Sequence, residues 1–172
     1  MNPDPATLAI EDIAHALSHV NRYTGHTFRP YSVARHSITV AELVRVRGCS
    51  REAQLWALLH DATEAYLNDI AAPVKQSPIF AGYRAAEKHL ERVIQERFMG
   101  FQPSTLMAEA VKRADWDMLL AERERVLPPG AWVAERAPAD ARTAFCCCDD
   151  GDTPERLRTS FGIIFDHLGG VR

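Results

Sequence analysis

The chain has 172 residues, 47% hydrophobic and 25% charged, a composition that supports one domain with a self-sufficient core. Its 20 Lys and Arg stand against 23 Asp and Glu, a formal net charge of -3, so there is no global basic field for gripping a nucleic-acid polymer. No apolar run approaches the roughly 20 residues of a membrane span, and MNPDPATLAIEDIAHAL lacks the basic and apolar blocks of a signal peptide, so a cytoplasmic protein without membrane attachment is expected.

Helical periodicity runs through the chain. Residues 10–20 place Ile10, Ile13, Ala14, Leu17 and Val20 on one face, and the polar stretch NRYTGHTFRPYS follows with Gly25 and Pro30 as breakers. Residues 32–47 resume the helical period, with Gly48 as the C-terminal stop and Ser50 as the next N-cap. The third helix, 50–67, is the most apolar and should lie in the core. NDIAAPVKQSP reads as a Pro-punctuated linker, and residues 82–98 and 105–126 read as long amphipathic helices. The segments PPGAW, APAD and DDGDTP suggest a weakly structured stretch before a last helix, 154–168, that packs Leu157, Phe161, Ile164, Phe165 and Leu168. The expected fold is all-α, a single domain over 1–172 of about six or seven helices. Cys49 stands alone and Cys146, Cys147 and Cys148 are consecutive, which suits small packed residues in a reducing compartment better than a disulfide framework or a zinc knuckle.

Three sets of ionisable residues do not belong on apolar stripes. His60, Asp61 and Glu64 cluster within the most apolar helix; a buried carboxylate is costly unless it is paired or binds metal. Asp115 has Val111, Met118 and Leu119 as its helical neighbours, whereas Asp117 is rotated away and suits a surface carboxylate. His36 faces the core with Val40 and Leu43. Two His and two Asp from three helices would make a mixed nitrogen and oxygen site for one divalent ion, with positions left for water and substrate.

On these residues the chain resembles the HD-domain metal-dependent phosphohydrolases, whose H…HD…D pattern is matched by His36, His60–Asp61 and Asp115. Within that superfamily it is most similar to the 5'-deoxynucleotidases and phage dATP triphosphohydrolases. The similar elements are N-R-Y at 21–23, A-R-H-S at 34–37, L-H-D-A-T-E-A at 59–65, D-I-A-A-P-V-K at 69–75, YRAAEKHLE at 83–91 and V-K-R-A-D at 111–115. They lie in order across roughly residues 10–125.

The resemblance implies an HD-type helical bundle in which His36, His60, Asp61 and Asp115 hold one divalent ion (Co, Mn, Zn or Mg). It makes Glu64 the general acid/base and Asp69 a second proton-handling or orienting carboxylate, the alternative for Asp69 being a helix N-cap. Arg22 and Lys75 would hold the substrate anion, and Tyr23, where related enzymes often carry tryptophan, would pack against sugar or base. The implied reaction is hydrolysis of a deoxynucleoside 5'-monophosphate, a small-molecule substrate, with a dNTP triphosphohydrolase as the runner-up. A non-catalytic nucleotide-sensing module would not need Glu64, and a cyclic-nucleotide phosphodiesterase would carry further His ligands. His26 is a weaker candidate for phosphate, and His15 with His19 a weaker one for metal. Relatives of this kind are commonly dimeric or higher; the 154–168 helix could serve an interface or complete the core.

Overall fold

The computed structural model describes residues 3–128, 135–146 and 151–172. They form nine α-helical segments and no strand: α1 (Ile10–His19), α2 (Val33–Val46), α3 (Arg51–Leu59), α4 (Glu64–Leu67), α5 (Ala72–Lys75), α6 (Ala81–Phe98), α7 (Thr105–Val126), α8 (Ala139–Cys146) and α9 (Pro154–Leu168). The expected all-α architecture is present, with more helices than expected because α4 and α5 are single turns. No helix among the described residues is long and apolar enough to cross a membrane.

Local sequence explains most helix ends. Ser32, Ser50, Ser104 and Thr153 each cap a helix by accepting the amide three residues on. Gly169 ends α9 in the left-handed conformation that glycine adopts without penalty (φ 85). The α2–α3 pair and α7 form the centre; α9 packs on α1, and α8 on α7 and α2. Leu157, Phe161 and Phe165 of α9 are buried, and Phe165 meets Phe98 of α6 edge-on at 6.0 Å. That apolar face therefore completes the core of this chain.

Four expectations need correction. The helix expected over 50–67 is broken: residues 60–63 form a turn of tighter bonds, Ala62 to the Leu59 carbonyl (2.9 Å) and Glu64 to the Asp61 carbonyl (3.0 Å). The His60 imidazole takes the Ala57 carbonyl (2.7 Å), a side-chain bond competing for an acceptor of the helical ladder. The Pro-punctuated linker contains α5, with Pro73 in its first turn where the missing N–H costs nothing. The stretch before α9 contains α8, anchored by buried Ala141 and Ala144. Asp117 is not a solvated surface carboxylate: with Asp140 it holds Arg47, the C-terminal cap of α2, at 2.7 and 2.8 Å. Residues Cys147 and Cys148 lie outside the described residues.

Candidate metal centre

Three helical pieces converge on one point. His36 comes from the first turns of α2, His60 and Asp61 from the turn after α3, and Asp115 from the middle of α7. His36, His60 and Asp115 form a group that could hold a metal ion. His36 Nε2 lies 3.3 Å from His60 Nε2 and 3.0 Å from Asp115 Oδ1, and His60 Nε2 lies 3.8 Å from that oxygen. Asp61 Oδ2 stands 3.6 and 3.4 Å from the two imidazole nitrogens, so it joins the same cluster.

The other ring nitrogens identify the tautomers. The Ala57 carbonyl can only accept, so His60 Nδ1, 2.7 Å away, carries a proton. His36 Nδ1 lies 2.5 Å from Glu122 Oε1. Glu122 is fully buried, yet against that desolvation Arg22 and His36 hold its carboxyl down to about 2, so it is ionised and His36 Nδ1 donates. In neutral imidazoles both Nε2 atoms then present lone pairs to each other and to two carboxylates. Such a cluster of acceptors repels itself unless positive charge sits among it.

In the metal-free protein protons supply that charge. Desolvation works against it, but Asp61 and Asp115 raise His60 to about 9, and Glu122 and Asp115 raise His36. Asp115, against its own burial, is held far below the usual carboxylate range by the two histidines. A divalent ion held by His36, His60 and Asp115 would satisfy their lone pairs better, because each would gain a bond. The carboxylate and carbonyl behind the rings are the partners that orient metal-ligating histidines. The donor set therefore fits the ion that the sequence suggests, and the partly exposed Asp115 leaves it an open side.

Glu122 escapes a residue-by-residue reading, although it lies two helical turns beyond Asp115 on the Val111–Asp115–Met118 stripe. It accepts the hydroxyls of Tyr23 (2.6 Å) and Tyr31 (3.0 Å) as well as His36. Arg22 lies between Glu122 Oε2 and Asp61 Oδ2, 3.3 Å from each, with only 12% of its side chain exposed. Arg22 thus ties the two carboxylates together. Tyr23 and Thr24 both take left-handed backbone (φ 57 and 49), which costs energy in non-glycine residues. The Tyr23–Glu122 bond helps hold that turn against the centre.

Glu64 is buried on the same side as Asp61, since the tightened turn stacks residues three apart. Desolvation, then Asp61 and Asp69, push its carboxyl up to about 9, and Oε2 has no hydrogen-bond partner among the described residues. Asp69 is also raised, chiefly by burial, while the Tyr23 amide donates to it. It does not cap α5, whose N-cap is Ala71. Lys75 ends α5 with its amine on Glu87 Oε1 at 2.7 Å. His26 is exposed. His15 and His19 meet ring to ring on α1, away from any carboxylate cluster that could complete a metal site among the described residues.

The raised Glu64 carboxyl predicts a pH dependence of stability. Between its unfolded value near 4.5 and about 9 the unfolded chain loses a proton that the folded chain keeps. Glu64 therefore makes folding less favourable as pH rises, by up to about 1.4 kcal/mol per pH unit. In EDTA, Glu64→Gln should match the parent near pH 4 and become progressively more stable than it towards pH 8, read by urea unfolding. Parallel profiles for the two proteins would show that Glu64 ionises normally.

No family model matches the chain. Over 135 residues, 77% of this chain, it is 40% identical to the uncharacterized protein YfdR of Escherichia coli (strain K12), covering 70% of that protein. Over 170 residues it is 35% identical to the uncharacterized protein RCAP_rcc00048 of Rhodobacter capsulatus, with 84% of this chain and 85% of the relative aligned.

Proposed function

We propose that this chain, which belongs to the family of YfdR and RCAP_rcc00048, is a metal-dependent phosphohydrolase that cleaves deoxynucleoside 5'-monophosphates to deoxynucleoside and phosphate. The observation that carries the proposal is the meeting of His36 Nε2, His60 Nε2, Asp61 Oδ2 and Asp115 Oδ1, with a protonated carboxyl, Glu64, beside them. When bound, a divalent ion would neutralise charge on the phosphoryl group and acidify a water for attack.

The chain's own residues supply the rest. Glu64, which burial pushes towards its protonated form, can deliver a proton to the departing O5' alkoxide, the general-acid role. Arg22 fixes Asp61 against Glu122 and thereby orients two of the four ligands through Asp61 and His36. Asp69 adds to the charge that keeps Glu64 protonated and fastens the Tyr23 turn. The engagement of Lys75 by Glu87 favours the monophosphate over the triphosphate, because that amine is not extended towards more distant phosphates. The similarity of the 21–23, 34–37, 59–65 and 111–115 segments to deoxynucleotide hydrolases supports the substrate class.

Purified protein, stripped and reloaded with Mn, Co, Zn or Mg, should release inorganic phosphate from dNMPs and leave ribonucleotides and dNTPs largely intact. Inertness with every metal and substrate would end the enzyme proposal, and triphosphate released from dNTPs would replace the monophosphate reading.

A further inference from the structure

Residues 68–80 carry Asp69 and Lys75, both close enough to Glu64 for their charges to act on its carboxyl, yet no residue of that stretch is buried. A stretch without an apolar anchor takes its position from polar contacts, and the first turns of α6 supply them. The Tyr83 hydroxyl donates to the Asn68 carbonyl at 3.0 Å, and Arg84 donates to the Lys75 and Ser77 carbonyls at 2.5 and 2.9 Å. One turn beyond Tyr83, Glu87 Oε1 accepts from the Lys75 amine at 2.7 Å. Both the backbone and the side chain of Lys75 are thus fixed by α6.

The Lys75 ammonium answers to two carboxyl groups. Against the cost of burial, the hydrogen bond and charge of Glu87, and then the charge of Glu64, hold it above its ordinary value. Glu64 in turn feels Asp61, a candidate ligand. The amine therefore stands within electrostatic range of the reaction centre while its hydrogen bond is committed to α6. Its side chain is 27% exposed and that of Glu87 22%, and an ion pair in contact with water adds little stability. Neutralising Glu87 would free a mobile point charge on a flexible four-carbon stem without dismantling the fold. A nucleoside monophosphate brings one phosphoryl group to the centre, whereas di- and triphosphates bring further anionic groups that need a cation of their own. With Glu87 in place the Lys75 charge is already balanced, and a further phosphate meets a neutral pair.

We propose that Glu87 is a specificity-determining residue, which holds Lys75 against α6 and so restricts the site to a single phosphate. This assignment rests on the phosphohydrolase reading for its choice of ligand; binding in EDTA, where metal-dependent hydrolysis is silent, tests it separately. In equilibrium dialysis of the full chain at low ionic strength with labelled dAMP and dATP, Glu87→Gln should raise the affinity for dATP relative to dAMP by about tenfold. Glutamine keeps the shape of the side chain but no longer balances the amine. Adding Lys75→Ala to Glu87→Gln should abolish the gain. The same shifts in a protein that releases no phosphate with any metal would support the role of Glu87 and end only the hydrolysis proposal. An unchanged ratio in Glu87→Gln would overturn the assignment, as would binding of neither nucleotide to parent and variant. A gain that persists in the double variant would also overturn it, because loss of the Glu87 charge, and not release of Lys75, would then be its cause.

Discussion

Replacing Glu122 by Ala should lower the stability of the fold by about 3–5 kcal/mol, the cost of leaving a buried charge without its partner. Glu122 is fully buried, and its two oxygens receive Tyr23, Tyr31 and His36 while Arg22 lies 3.3 Å away. Truncation leaves the largely buried Arg22 guanidinium with Asp61 as its remaining carboxylate, frees two tyrosine hydroxyls and unties His36. For a chain of this length the loss corresponds to roughly 6–20 °C in Tm, measurable by circular dichroism in EDTA. Glu122→Gln should recover part of it, since an amide still accepts hydrogen bonds but does not balance Arg22. Equal melting of Glu122→Ala and the parent would show that this carboxylate does not organise the centre.

Removal of Asp115 should have the largest effect on metal content. Its Oδ1 lies within hydrogen-bonding range of His36 Nε2 and 3.8 Å from His60 Nε2, and it is the ligand candidate contributed by α7. Asp115→Ala should lower metal retained after dialysis by about tenfold or more, read by atomic absorption, and abolish turnover. Its partial exposure means that the fold should survive the change. Glu64→Gln provides the contrast, with metal kept and turnover lost, because Glu64 is assigned to proton transfer. Full metal content in Asp115→Ala would remove it from the ligand set. Metal binding to the parent should also release protons, since the ion displaces those that the neighbouring carboxylates hold on His36 and His60. Proton release is measurable in weak buffer and should disappear as pH rises past about 9.

The candidate ligands were legible because each violated a local rule. A histidine facing Val40 and Leu43, a His–Asp doublet in an apolar helix and an aspartate on the Val111–Met118 stripe all stand out against helical periodicity. Glu122 violates the same rule less visibly. It sits in the charged run ERER, where the buried carboxylate and the exposed ones look alike. Tyr31 carries no local signal, since an aromatic residue after Pro30 fits any turn.

The break after α3 was equally hidden. Residues 50–67 keep a helical pattern throughout, and the turn there coincides with a His60 side-chain bond to the Ala57 carbonyl that no spacing announces. That tightening brings Asp61 and Glu64, already neighbours at a spacing of three on a regular helix, closer to eclipsed.

The sequence alone determined the all-α class, the ends of α2 and α9, the start of α3, and which ionisable groups were out of place. These follow from short-range physics: capping, turn chemistry and the 3.6-residue period. Only the tertiary structure decided that both Nε2 atoms face one point and that Glu122 and Arg22 stand behind it. Those facts depend on contacts across dozens of residues, such as Tyr23 with Glu122 and His36 with Asp115. Their protonation depends on burial and on charges brought together by folding, and no local pattern encodes either.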